Sequence, residues 1–379
     1  MTGRDKILAA LGPTGARENP AVICYSSIYY RDHWAQLTKQ PWWALQSGDI
    51  DLHRAVWSDF IRNVGQDWFA LPYGPSRADR ENIVIEERAN GVWRMDRRTG
   101  KERQLQPPRV GGQFIGRHQA ETDQGPDTRE EIDARLPLPD ESAFARFQDG
   151  STDLTEQLKA GAAKDLFWMS SAMSPLWATL NLWPFDRAME LLTDRPALVH
   201  YACERRLQSR NMVIEQAARL GARGVWIEEC MTDMISPAAF REFNLPYLKR
   251  LVDAIRASGM RSIYYYCGNP GDRLDMLLDS GADALSLEES KKGWAVDIES
   301  IARKVDGRMT LLGNLDAIRL LERGSEEELR AEIGRQLAAG RINRNRFILS
   351  LGSPVTPGTS PERVRRYCEI AHEMGRTGG

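Results

Sequence analysis

Along the second half of the chain, short apolar and β-branched runs alternate with longer segments whose apolar positions recur at helical spacing. The runs fall at 224–228, 261–266, 282–287, 309–312 and 346–351. Such alternation predicts βα units around a parallel sheet, because each strand is covered by the helix that follows it. Two of the helix starts are sharply marked. Ser236 before Pro237 reads as an N-cap with proline at the first helical position, and the Ser-Glu-Glu-Glu of 325–328 reads as a capping box. The first half supplies three more strand candidates at 21–24, 67–70 and 165–168, each followed by a helix-like segment. Eight strand-then-helix units predict an α/β chain folded as a (β/α)8 TIM barrel. The stretch 72–160 breaks the rhythm and reads as a β-rich insertion after the second strand. There, strand-like runs at 82–86 and 91–94 flank an Asn90-Gly91 turn signal, and another turn begins at Arg98. From 106 to 127 the chain is rich in glycine, proline and polar residues, the composition of a long loop and of a lid over the barrel mouth.

Length agrees with one barrel, 1–379, carrying 72–160 as its insertion, since 379 residues exceed the ~250 typical of the fold. Lys and Arg number 51 against 53 Asp and Glu, a net charge of −2. This balance provides no basic field for nucleic acid and no acidic excess of the kind that keeps a chain disordered. The partner expected is a small molecule. No apolar stretch approaches the ~20 residues of a membrane span, and residues 1–11 read as an amphipathic helix without a signal-peptide layout. A cytoplasmic protein without a membrane partner is therefore expected. Five irregularly spaced cysteines argue against a disulfide framework.

In a parallel barrel the active site lies at the carboxyl ends of the strands. The residues there are Cys24, Ser170 and Ser171, Glu228 to Cys230, Cys267 to Asn269, Glu288 and Glu289, Asn314 with Asp316, and Ser353. Burying such groups unpaired costs roughly 1–3 kcal/mol each, so their recurrence points to a functional mouth. Cys203 and Cys368 sit in helical segments and read as packing. Thiols beside carboxylates suit zinc, and Glu229, Cys230 and Cys267 are the residues that would converge on it; ordinary buried thiols are the other reading. Adjacent strand residues point to opposite sides, so one member each of Glu228-Glu229 and Glu288-Glu289 is expected to face the site, with Arg223, Lys291 or Lys292 as alternative ion-pair partners. Dinucleotide, triphosphate and serine-hydrolase fingerprints are missing. Of five histidines, His33 and His118 alone fall near the expected mouth, where both are expected to be solvated. Trp42, Trp43 and Trp177 suit core packing more than a planar ligand.

Taken in order, Ile235-Ser-Pro237, Phe243-Asn-Leu-Pro-Tyr-Leu-Lys249, Cys267-Gly-Asn269, Gly281-Ala-Asp283, Gly313-Asn-Leu-Asp316 and Leu351-Gly352 followed by Thr356-Pro357 resemble the uroporphyrinogen decarboxylase superfamily. Upstream, Ser174-Pro-Leu-Trp177 and Asp194-Arg-Pro196 extend the resemblance over most of the chain outside the insertion. The resemblance implies a (β/α)8 barrel and one of two activities. The decarboxylase branch uses an arginine-rich segment after the first strand, an Asp after the second and a late His after Leu-Gly. This chain has Arg31 alone, Pro72-Tyr73-Gly74 and Ser353 there. The cobamide-dependent methyltransferase branch uses zinc bound by His-x-Cys and a late Cys to activate a thiol toward methylcobalamin. Cys267 matches the first Cys, but Tyr265 replaces the His and Ser353 the second Cys.

The expectation is thus a corrinoid-linked methyltransferase with Glu229, Cys267 and Glu288 as catalytic residues. Arg31, Tyr265, Asn269, Asn314, Asp316 and Ser353 are the expected substrate-binding residues. The implied cofactors are zinc, held by Glu229, Cys230 and Cys267 with Glu288 or Cys24 nearby, and a corrinoid (cobalamin), free as a substrate or carried by a partner corrinoid protein. The alternatives are a decarboxylase with Glu229 or Glu288 as general acid that clamps a carboxylated substrate with Arg31 or Arg77, and a non-catalytic barrel that binds a tetrapyrrole or corrinoid.

Overall fold

The computed structural model describes residues 1–111, 124–291 and 293–376. Its ten strands in chain order are β1 (Trp68–Ala70), β2 (Ile83–Arg88), β3 (Gly91–Asp96), β4 (Lys101–Leu105), β5 (Phe167–Met173), β6 (Gly224–Glu229), β7 (Arg261–Tyr266), β8 (Ala284–Leu287), β9 (Thr310–Leu312) and β10 (Phe347–Ile348). Seven of them form one curled parallel sheet in the order β1-β5-β6-β7-β8-β9-β10. Helices between the strands cover the outer face of the sheet while its inner face packs on itself, so its residues are apolar with little alternation.

The eighth strand expected from the sequence, 21–24, is extended chain bridging the two edges of the sheet. Ala21 pairs in parallel with Leu349 beyond β10, and its carbonyl accepts from the Asp67 amide just before β1 at 2.9 Å. Side chains complete what a short ladder omits. The Asp67 carboxylate accepts from the Ala21 amide (2.7 Å), Lys6 Nζ (3.0 Å) and His372 Nε2 (2.7 Å), and Gln66 Oε1 accepts from the Ile23 amide (3.1 Å). The first helix, the closing segment and the last helix thus meet on one buried carboxylate. Burial would raise the Asp67 pKa, but the His372 hydrogen bond and charge, with Lys6, hold it below the ordinary value.

The insertion carries the antiparallel sheet β2-β3-β4, with Arg88 paired to Gly91 across the Asn-Gly turn. It leans on the first helices through Trp43 Nε1 to Glu87 Oε1 (2.9 Å) and Arg94 Nε to the Gln46 carbonyl (3.1 Å). The described part of the 106–127 segment reaches loops near the mouth. Gly111 N donates to Asp32 (3.1 Å), and the Pro126 carbonyl accepts from Trp183 Nε1 (2.8 Å). The central part of that segment, with His118, lies outside the described residues, as does Lys292. Both helix starts hold: Ser236 caps through the Ala239 amide, and Ser325 and Glu328 form the reciprocal box. Among the described residues no helix is long and apolar enough to cross a membrane.

Candidate active site at the barrel mouth

Register decides which side chains enter the barrel. Parallel partners point the same way, and β6 pairs Glu228 with Tyr265 of β7, which pairs with Ser286 of β8. Trp226, two residues before Glu228, contacts Trp68 of β1 (ring centroids 5.6 Å) and stacks on Tyr265 (5.0 Å), so this set faces the interior. Glu228, Cys267 and Glu288 continue it by steps of two toward the strand ends.

Glu229 therefore points the other way, which corrects its expected role in the mouth. It is fully buried between the sheet and the helix layer, where Oε2 accepts from Asn244 Nδ2 (2.8 Å) and the Tyr264 hydroxyl (3.1 Å). Burial pushes its pKa up to about 7, partly offset by the hydroxyl and amide groups around it, Ser174 first. Glu228 takes the interior position. Its Oε1 accepts from the Tyr25 hydroxyl (3.0 Å) and lies 3.8 Å from Cys230 Sγ. Tyr25 holds this position from a left-handed backbone (φ 51°, ψ 46°), a conformation costly for a bulky residue.

Cys230 and Cys267, at neighbouring strand ends, meet. The neighbouring Cys267 thiol, and then burial, hold the Cys230 thiol well above its ordinary pKa. Cys24 is fully buried nearby, its thiol raised by burial and then by the charges of Glu289 and Glu288. Across the mouth, Glu288 is 3% exposed and ion-paired through Oε1 with Lys291, and its Oε2 has no hydrogen-bond partner. Lys291 also donates to Ser353 Oγ (3.1 Å), which donates to the Glu289 carboxylate (2.7 Å). Gly352 makes this contact possible: a Cβ there would lie 2.3 Å from the Glu289 amide nitrogen. Lys291 bears electrostatically on Cys267 as well, so both halves of the mouth form one cluster.

The remaining expected residues are placed as follows. Tyr265 is buried, its hydroxyl donating to the Gly352 carbonyl (3.2 Å). Asn314 ties the Glu288 and Val296 carbonyls together (3.2 and 3.1 Å). Asp316 caps the following helical turn through the Ile318 and Arg319 amides, and Asn269 closes its own turn onto Gly271 N. Arg31 pairs with adjacent Asp32 (2.7 Å), and Arg77 lies on the insertion, donating to the Gln148 carbonyl. His33 is buried rather than solvated, with Nδ1 on the Tyr29 carbonyl (3.1 Å). Tyr25, Glu228, Glu289 and Lys291 are mouth residues that sequence reasoning left out of its site. For Glu228 the signal was available, since it shares parity with Trp226 within β6.

The zinc site expected at Glu229, Cys230 and Cys267 is not assembled from those three residues. Among the described residues no three Cys, His, Asp or Glu side chains lie together as a ligand set. Glu229 points out of the barrel and Tyr265 and Ser353 stand at the implied ligand positions, so the ligand set expected from the sequence does not assemble.

The Uroporphyrinogen decarboxylase (URO-D) family model matches residues 118–374. The chain belongs to this family. Curated relatives include uroporphyrinogen decarboxylases of Pseudomonas fluorescens SBW25 and Cellvibrio japonicus Ueda107, each 30% identical over 193 residues, 50% of this chain and 52% of the relative. The match thus spans about half the length of those relatives. Among solved structures, a methyltransferase from Methanosarcina mazei superposes with a TM-score of 0.65 at 18% identity, covering 98% of this chain and 99% of that one. That likeness carries the fold.

Proposed function

We propose that this URO-D family chain is a methyl-transferring enzyme in which Cys267 receives or relays the methyl group. The observation that carries the reading is the Glu228 carboxylate 3.8 Å from Cys230 Sγ, with Cys267 beside it at the end of the neighbouring strand. A thiol is a good nucleophile only as its thiolate, so a base must take its proton. In the proposed step the donor–CH3 bond breaks with its electron pair left on the donor, and an S–CH3 bond forms at Cys267. The displaced S–H proton passes through Cys230 to Glu228, and Lys291 steadies the transient negative charge. The donor is methylcobalamin, free or on a corrinoid protein, or another methylated small molecule.

The charge of the mouth favours this reading over a tetrapyrrole decarboxylase. Glu228, Glu288 and Glu289 face a single ammonium among the described residues, whereas a multiply carboxylated substrate needs fixed cations. The test mixes the enzyme with methylcobalamin and a thiol, follows the corrin spectrum, and assays CO2 release from uroporphyrinogen in parallel. Demethylation lost in Cys267→Ser and slowed ~10²-fold or more in Glu228→Gln is the expected result. Demethylation indifferent to Cys267→Ser, or CO2 release alone, would overturn the proposal.

A further inference from the structure

We infer that the barrel mouth binds a methylated onium cation, a quaternary ammonium or sulfonium group, and under the methyl-transfer reading this cation is the donor. The first support is the sign and placement of charge. Glu228 forms no ion pair among the described residues, and its hydrogen-bond partners there are neutral, the Tyr25 hydroxyl and the Cys230 thiol. Glu288, 3% exposed and on the inward side of β8, leaves Oε2 without a hydrogen-bond donor. A buried carboxylate oxygen in that state is costly unless a cation completes it. Lys291 answers one of the three carboxylates by ion pair and reaches a second through Ser353.

Aromatic surface is the second, independent support. The half-buried Tyr25 ring lies beside the Glu228 carboxylate, near-perpendicular to the buried Tyr265 (5.3 Å, 85°) and Trp226 (6.1 Å, 81°), and is the aromatic surface left open there. An onium group is large, weakly hydrated and attracted to ring faces, so it gains from such walls. A small inorganic cation prefers a cage of oxygens, and the described residues offer no such set. Methyl loss from an onium donor also balances charge. The positive donor departs as a neutral amine or thioether, its methyl bonds to the Cys267 sulfur, and the thiol proton ends on Glu228.

Binding tests the inference apart from turnover. Tetramethylammonium and trimethylsulfonium are titrated into the full-length protein by calorimetry, with 2,2-dimethylpropan-1-ol as a neutral match in shape, and with acetate and Mg2+. Saturable binding of the onium ions, weakened about tenfold or more by Glu228→Gln and unchanged by Glu229→Gln, is the expected result. The adjacent Glu229 variant controls for folding, because that side chain faces the helix layer. Equal binding of the neutral compound, stronger binding of acetate or Mg2+, or indifference to Glu228→Gln would overturn it. Onium binding without methyl transfer from any donor would sink the proposed activity and leave this inference standing. Demethylation of methylcobalamin without onium binding would do the reverse.

Discussion

Glu228 and Glu229 are adjacent and chemically alike, yet their surroundings give them opposite work. Glu229, with its pKa pushed up to about 7 by burial, stays protonated in the folded state over a range where the unfolded chain ionises. The folded state therefore binds more protons between about pH 4.5 and 7, and stability falls as pH rises through that window and levels off above it. The difference amounts to about 3 kcal/mol. Glu229→Gln removes the titration and keeps an acceptor for Asn244 and Tyr264. Urea unfolding at pH 5 and pH 8 should show the wild type losing stability relative to the variant at the higher pH; parallel behaviour would refute the assignment. Strand alternation predicted one member of each carboxylate pair at the site, which holds for Glu228-Glu229 but not for Glu288-Glu289, because β8 ends at Leu287 and both of those carboxylates reach the Lys291–Ser353 cluster. Alternation could not say which member, because parity within a strand is fixed only once a neighbour such as Trp226 is known to point inward.

At the scale of elements, Asp67 substitutes for a strand ladder. Three separate pieces of chain, the first helix, the 21–24 segment and the last helix, reach the same carboxylate. Asp67→Ala leaves Lys6 buried without its partner and should cost about 3–5 kcal/mol, measured by chemical unfolding. A loss under about 1 kcal/mol would mean that backbone pairing closes the barrel unaided. The loop after β10 makes a comparable demand. Gly352→Ala places a methyl group against Glu289 and should destabilise by about 1–3 kcal/mol while disturbing the Ser353–Glu289 contact. These elements were readable in outline: seven strand runs and both capped helices stand where apolar pattern and cap residues put them. The eighth run supplied only a bridge, because side-chain hydrogen bonds took over from a ladder.

For the whole molecule, the barrel brings residues distant in the chain into one mouth, Tyr25 onto Glu228 across 203 positions and Lys291 beside Ser353 across 62. Strand parity also turns Glu229 away from Cys230 and Cys267, the other two expected zinc ligands. Protein purified without a tag should carry no stoichiometric zinc by mass spectrometry, and a chelator should leave its thermal midpoint unchanged; one tightly held zinc per chain, lost in Cys267→Ser, would contradict the geometry. By itself the sequence determined the barrel, the β-rich insertion and the polar character of the strand ends, since these follow from local periodicity, turn chemistry and the rule that strands end at the active face. Tertiary structure alone decided which of those end residues meet. Side-chain direction depends on register between strands far apart in the chain, and only that register turns Glu229 outward, sets Glu228 beside the two thiols and leaves Glu288 with an unanswered oxygen.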